Sequence, residues 1–273
     1  MSITKTFGWQ RIPPKVLLVA NIRGIVPSFH HISQHRKSMP EKRKTFKKPS
    51  KKHQPKGLAI LYEDQDIIVV NKVEGLLTVS TEREKERTAY FHLTDYVRKG
   101  NARSKNRVFI VHRLDRETSG VLIFAKTEKI KHLLQDQWKD FSKTYFAVVT
   151  GKLPEKEGLI SSYLTENSAY KVYSVNDPEK GRFSKTGYKV LKESGKYSLL
   201  KIDLYTGRKN QIRVHFSEKG YPVVGDKMYG KANKGIKRLG LHASSLTITH
   251  PITQEEMTFE TDIPVYFKSL LGY

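Results

Sequence analysis

The chain has 273 residues, of which 50 are Lys or Arg and 27 are Asp or Glu, so its formal net charge is +23. A surplus of this size favours an acidic partner, and nucleic acid is the commonest one. The absence of cysteine excludes disulfides, thiolate zinc sites and a cysteine nucleophile. No run reaches the ~20 apolar residues of a membrane-spanning helix and no export signal is visible, so we expect a soluble, cytoplasmic protein.

Residues 1–56 form a predicted basic leader, which carries 14 Lys and Arg against one acid, Glu41. From Met39 onward the leader is rich in Lys, Arg and Pro, a composition typical of disorder. Such a segment binds phosphate backbones without reading their sequence, and a merely solvated tail is the alternative. Met39 is a candidate for the true start. Residues 57–273 are expected to form the folded part of the chain, as one large domain or two small lobes on a shared sheet.

Short apolar runs and two helical segments fill the first half of this domain. Residues 89–99 and 128–141 carry apolar side chains at helical spacing, and Gly100 is a suitable C-cap for the first helix. Runs rich in Ile and Val predict strands. The predicted strands are residues 58–62, 66–71, 76–80, 108–111 and 121–125.

The second half is mostly strands. Residues 211–219 predict a short helix that ends at Gly220, whereas residues 170–185 are turn-rich and predict a surface excursion. The predicted strands are residues 145–149, 186–191, 197–205 and 241–249. Runs of strands broken by few helices favour an α+β fold.

The most informative stretch is HRLDRETSG, residues 112–120, which places the carboxylate of Asp115 between Arg113 and Arg116. Because apolar runs flank this stretch on both sides, Asp115 is expected at a strand-to-turn junction, where reactive side chains are commonly presented. An aspartate flanked by arginines is, taken alone, more often part of a structural ion pair than a nucleophile.

The HRLDRETSG stretch resembles the H-R-L-D-x-x-T-S-G motif of the RluA-type RNA pseudouridine synthases. Residues 204–216, LYTGRKNQIRVHF, resemble the second motif of that family, T-G-R-x-x-Q-I/L-R-V-H. Further matches occur in residues 60–77, 143–151, 222–230 and 239–251. The resemblance implies that residues 57–273 form a mixed, largely antiparallel β-sheet with flanking helices and an RNA-binding cleft. It also implies isomerisation of uridine in structured RNA to pseudouridine, without a cofactor or metal.

The resemblance assigns catalytic roles to three side chains. Asp115 matches the catalytic aspartate, Arg213 matches the arginine that pairs with it, and Tyr145 matches the tyrosine that stacks on the uracil. Ile212 and Phe216 form an apolar i, i+4 pair, which should anchor the helix and direct Arg213 the other way. Phe146 should point to the sheet face opposite Tyr145.

RNA contacts are also implied. Arg113 matches the arginine that enters the RNA stack where the target base leaves, and its plain alternative is an ion pair. The other predicted RNA-binding residues are Arg116, Arg208 and Lys72, with a scaffold role as the alternative for Lys72. Two positions depart from the family pattern, Val73 and Asn210, and neither is expected to touch the chemistry.

Several readings stay open at this stage. The partner RNA is ribosomal or transfer RNA, and large-subunit ribosomal RNA is preferred only because many relatives act there. A non-catalytic basic RNA-binding protein is one alternative class. A glycosidase is another, but it would need a second carboxylate across the scissile bond, for which Asp226 is the available residue. Many relatives carry an S4 RNA-binding domain, which residues 1–56 cannot supply.

Overall fold

The computed structural model describes residues 54–230, 236 and 238–272. These residues belong to one compact unit. Most of the predicted leader, including Met39, lies outside them. None of the described helices is long and apolar enough to cross a bilayer.

The described residues form one mixed sheet with four short helices. The strands are β1 Leu58–Glu63, β2 Ile67–Lys72, β3 Phe109–Ile110, β4 Ser119–Ala125, β5 Ser142–Thr150, β6 Glu157–Glu166, β7 Val172–Val175, β8 Arg182–Glu193, β9 Tyr197–Leu204, β10 Leu241–Thr249 and β11 Glu256–Glu260. The helices are α1 Ala89–Arg98, α2 Glu128–Asp136, α3 Gln211–Glu218 and α4 Val265–Leu270. The predicted α+β class is therefore confirmed.

The main path of the sheet runs β1-β2-β4-β10-β5-β9-β8-β6-β7, with β3 paired to β4 and β11 to β10. Every strand pair is antiparallel except β4 with β10. At that parallel pair Gly120 lies beside Ala243, with φ +118°, and a Cβ there would lie 2.1 Å from the Ala243 carbonyl oxygen. Gly120, the last residue of HRLDRETSG, is thus required by the close approach of the two backbones.

Helix α3 packs on the centre of the sheet. Ile212 and Phe216 are buried in one cluster with Ala147 and Leu200, which confirms the predicted i, i+4 anchor. Phe146 instead packs in the cluster that holds α4, whereas Tyr145 packs on the α3 side. The predicted alternation along β5 is confirmed.

Some predicted elements were wrong. Residues 76–80 form no strand, and only Leu77 makes an isolated bridge, to Thr88. The predicted helix 128–141 ends at Asp136. Strands β6, β7 and β11 and helix α4 were missed, and β7 lies inside the predicted surface excursion. For β6 and β7 the physical reason is that β7 is an edge strand and β6 lies next to it. Both are mostly exposed or half-buried, so their sequences carry little hydrophobic alternation.

Candidate active site

A cleft of about 790 Å³ brings the two motif segments together. The loop before β4 forms one wall, and the turn that leads into α3 forms the other. Five of the predicted site residues line it, namely Asp115, Tyr145, Arg213, Arg113 and Arg208. Arg116 and Lys72 do not line it.

Asp115 lies in the turn between β3 and β4, where the Thr118 amide donates to the Asp115 carbonyl at 3.1 Å. The predicted strand-to-turn junction is confirmed. The carboxylate retains 36% of its exposure and lies 3.4 Å from Nη1 of Arg213. Its cation partner is therefore Arg213, from a distant segment, and not the neighbouring arginines in the motif.

The two flanking arginines point elsewhere. Arg116 Nε donates to the Gly75 carbonyl at 3.1 Å. Arg113 is exposed and makes no ion pair within the described residues. The alternative prediction for Arg113, an ordinary ion pair, is therefore not supported among the described residues.

Arg213 is almost fully enclosed, and its guanidinium is held by a carboxylate beneath it. Nε donates to Asp226 Oδ2 at 2.7 Å and Nη2 donates to Asp226 Oδ1 at 2.9 Å, a bidentate arrangement. Burial alone would lower the pKa of Arg213, but the carboxylates of Asp226 and Asp115 more than offset it and raise that pKa. Arg213 is a permanent, fixed cation facing Asp115.

Asp226 is fully buried and its oxygens are occupied. Oδ1 also accepts from the amides of Met228 and Tyr229, at 2.9 and 3.0 Å. Burial would raise the pKa of Asp226, yet the bonds from Arg213 and these amides lower it. This geometry contradicts Asp226 as a second glycosidase carboxylate, because it anchors Arg213 and presents no free oxygen to a substrate. No local sequence signal distinguished the two roles.

Asn210 was expected to have no contact with the catalytic residues, and that expectation was wrong, because Asn210 bonds to Arg213. Its Oδ1 accepts from Arg213 Nη1 at 3.0 Å, and its Nδ2 donates to the Tyr229 hydroxyl at 3.2 Å. The residue adopts φ +54° at the start of α3, a left-handed conformation that Asn tolerates better than most residues. Asn210 therefore orients the guanidinium from the side opposite Asp226.

Tyr145 lies on β5 at the cleft. Burial, with a smaller contribution from the Asp115 charge, raises the pKa of its phenol well above the usual value. The phenol is therefore neutral at neutral pH. Its hydroxyl has no hydrogen-bond partner among the described residues, so it is available to a bound molecule.

Lys72 was predicted to contact RNA, and the structure contradicts that assignment. The side chain is fully buried, and Nζ donates to the carbonyls of Val73, Leu76 and Arg116 at 3.0, 2.8 and 3.4 Å. Burial lowers the pKa of Lys72 to about 8, against a smaller opposing effect of Asp115. Lys72 takes the scaffold role, because it ties the loop after β2 to the motif loop.

Sequence analysis did not predict that the side chains of His112, Trp138 and Lys143 line the cleft. The ring of His112 stacks on Trp138 with centroids 4.3 Å apart, and the ammonium of Lys143 lies 5.4 Å from the Trp138 ring. Burial, with the Lys143 charge, lowers the pKa of His112 to about 3, so its ring is neutral and accepts from the Ile123 amide. Trp138 lies in the segment between α2 and β5, outside the matched segments, whereas Lys143 is the second residue of β5 and begins the matched segment 143–151.

Within the part of the chain that the structure describes, one group of side chains has ligand atoms close enough for a metal, namely Asp64, Asp66 and His250. Asp64 already accepts from the amides of Asp66 and Ile67 through Oδ1, and its Oδ2 lies 3.0 Å from His250 Nε2. These bonds explain why the three side chains lie close together, because they stabilise the turn between β1 and β2 and tie it to the end of β10. We assign it no ion.

The chain is similar in sequence and fold to known proteins. The family model described as RNA pseudouridylate synthase matches residues 66–218. The tRNA pseudouridine synthase C of Haemophilus influenzae is 32% identical, over 79% of this chain and 97% of its own length. The ribosomal large subunit pseudouridine synthase D of Borreliella burgdorferi is 36% identical, over 70% of this chain and 61% of its own. The solved structure of human RNA pseudouridylate synthase domain containing 1 is 26% identical, with a TM-score of 0.62 over 79% of this chain and 86% of that one.

The chain therefore belongs to the RNA pseudouridylate synthase family, and the prediction of an RNA pseudouridine synthase, an isomerase, is confirmed.

Proposed function

We propose that this cleft isomerises a uridine of a structured RNA, with Asp115 as the catalytic carboxylate. The observation that carries the proposal is the chain of charges from Asp226 through Arg213 to Asp115. Asp115 is the most exposed of these three groups, since its side chain is 36% exposed, against 9% for Arg213 and 0% for Asp226. The Asp115 carboxylate has a fixed cation behind it and free space in front.

In the reaction the N1–C1′ bond of uridine breaks and a C5–C1′ bond forms, while C5 loses a proton and N1 gains one. The sugar becomes electron-poor when the base leaves, and a carboxylate beside it stabilises or traps that state. Addition to the sugar and formation of a glycal both use the same group. The proton lost from C5 balances the proton gained at N1, and the overall reaction is an isomerisation without oxidation or reduction, so the proposal includes no metal or cofactor.

Tyr145 is proposed to stack on the extruded uracil. A phenol with a raised pKa is a poor resting base, because it would first have to lose its proton. Its neutral ring offers an aromatic face, and its unpartnered hydroxyl offers a donor. Both fit the positioning of the uracil while it is detached.

The exposed arginines are proposed to hold the RNA. Extruding a base costs a few kcal/mol of stacking, and a planar guanidinium can replace part of that stack. Arg113 is exposed on the cleft wall and makes no ion pair with the residues that the structure describes, so RNA binding would break none of those. Arg208 and Arg116 are also exposed and are proposed to contact phosphates.

Large-subunit ribosomal RNA is the first candidate target, as in the Borreliella burgdorferi relative named for it. Transfer RNA is the second candidate, and one observation favours it. The similarity to tRNA pseudouridine synthase C covers 97% of that protein, whereas the similarity to synthase D covers only 61%. We place the activity in the cytoplasm, with residues 57–273 as the catalytic domain and residues 1–56 as a basic leader.

Pseudouridine mapping tests both the chemistry and the target. RNA from cells that lack the gene is compared with RNA from the same cells carrying wild type, Asp115→Ala or Glu117→Ala. Glu117 is an exposed carboxylate two residues from Asp115, which makes it a matched control. We expect one or more sites restored by wild type and Glu117→Ala but not by Asp115→Ala. Full restoration by Asp115→Ala would refute the catalytic assignment, and the position of the sites identifies the RNA.

A further inference from the structure

The tip of the hairpin between β6 and β7 overhangs the cleft. Tyr170 lies in this tip, lines the same cleft as Asp115 and is 73% exposed. Few large side chains of the described residues are so open to solvent. The ring is not needed for the core, so its place at the cleft requires another explanation.

The backbone of the tip does not explain the tyrosine either. Tyr170 has φ +60°, which is unfavourable for a bulky side chain and suits Gly or Asn. The turn is built by Asn167, whose Oδ1 accepts from the amides of Ala169 and Lys171 at 3.0 Å each. Strained residues of this kind cluster at ligand sites, where the surrounding structure fixes them.

A cation fixes the ring relative to the second motif. Lys209 Nζ lies 5.3 Å from the centre of the Tyr170 ring and donates to the Tyr170 carbonyl at 3.2 Å. The same ammonium is paired with Glu166 at the end of β6. Lys209 lies between Arg208 and Asn210 in sequence, so the hairpin tip is tied directly to the segment that lines the cleft.

We propose that Tyr170 stacks on an unpaired RNA base next to the target uridine and so helps to determine which uridine is accepted. This inference rests on the proposed function of the cleft. Exposed aromatic rings beside cations are the usual platform for unpaired bases, since every base has a π face. The ring supplies that platform, Lys209 holds it in place, and the exposed Arg208 supplies positive charge for the adjacent phosphates.

The test uses the purified full chain and an RNA fragment that carries the mapped uridine. We expect Tyr170→Ala to raise KM and the RNA Kd about tenfold, equivalent to about 1.4 kcal/mol, with kcat within about twofold of wild type. Tyr170→Phe should behave as wild type, because it keeps the ring. Tyr170→Gly should bind as poorly as Tyr170→Ala while its Tm equals or exceeds that of wild type, since Gly adopts φ +60° without strain. A purely structural role would lower Tm together with affinity.

Tyr173→Ala is the matched control, because Tyr173 is an exposed tyrosine on the neighbouring β7 that does not line the cleft. It should leave KM and Kd unchanged. Wild-type affinity in Tyr170→Ala, or an equal loss in Tyr173→Ala, would overturn the inference. Asp115→Ala in the same assay separates the two proposals, since it removes product without removing RNA binding. If wild type itself formed no pseudouridine, the proposed function would fail, and the Kd comparison would still decide the Tyr170 contact.

Discussion

Two parts of the cleft use charged side chains in opposite ways: its floor, formed by Arg213 with Asp226 and Asn210, and its rim, where Arg113 lies. On the floor, Arg213 is held by three oxygen-bearing neighbours, and its side chain is only 9% exposed. On the rim, Arg113 is exposed and has no ion-pair partner within the described residues. A fixed cation needs no rearrangement during a reaction, whereas a free one can adapt to a large substrate. This difference predicts that substitutions on the floor reduce the isomerisation rate or the folding stability, whereas substitutions on the rim reduce the affinity for RNA.

The largest effect on stability is expected from Asp226→Asn on the floor. The substitution removes the charge that compensates a buried guanidinium, and breaking such a pair costs about 3–5 kcal/mol. Urea unfolding should show this loss, together with a reduced rate of isomerisation. Asp262→Asn, at an exposed carboxylate, is the control and should stay within about 0.5 kcal/mol of wild type. A loss below about 1 kcal/mol in Asp226→Asn would show that the floor is not held by this pair.

Variants of Asn210 distinguish the effect of its left-handed backbone from the effect of its side chain on the orientation of Arg213. Asn210→Gly keeps the left-handed backbone but removes the acceptor for Arg213, so we expect a rate about tenfold lower with little change in Tm. Asn210→Asp keeps the acceptor and should retain most of the rate. A wild-type rate in Asn210→Gly would mean that Asp226 alone orients Arg213.

On the rim, Arg113→Ala should leave stability within about 0.5 kcal/mol of wild type. RNA affinity should fall about tenfold, as expected when one stacking contact is lost. Arg113→Lys keeps the charge but loses the planar group, so it should resemble Arg113→Ala if stacking matters. Recovery of affinity in Arg113→Lys would show a phosphate contact instead.

The smallest and most salt-sensitive effect is expected from the leader. Replacing the seven Lys and Arg residues between positions 42 and 52 with Gln should weaken RNA binding several-fold at low salt. The effect should fade as salt rises, because a basic tail binds through counterion release. Equal affinity at low salt would show that the leader is only solvated.

Local sequence was sufficient for features set by near neighbours. The turn at Asp115, the anchor formed by Ile212 and Phe216, and the opposite faces of Tyr145 and Phe146 all follow from short-range periodicity. Arg213 as the partner of Asp115 came from the family resemblance and agrees with the geometry.

The features that sequence reasoning missed depend on distant contacts. Asp226 is 13 residues from Arg213, and nothing local marks it as the group beneath the guanidinium. The burial of Lys72 arises because its loop closes over residues around position 116, some 44 residues away. The β6–β7 hairpin pairs with β8 and packs Leu164 and Val172 against Val214 of α3. These contacts join distant segments and are not visible in the local sequence, so the tip, with Tyr170, was not assigned to the cleft.

The most direct test of the central claim compares RNA affinity and single-turnover rate in Asp115→Asn, which replaces the carboxylate with a neutral amide of nearly the same size. Saturating RNA ensures that the rate reports chemistry and not binding. We expect Kd within about twofold of wild type and a rate at least about 10³-fold lower. Pseudouridine formation near the wild-type rate would contradict the account, because the Asp226, Arg213 and Asp115 chain would then orient a group that the reaction does not use.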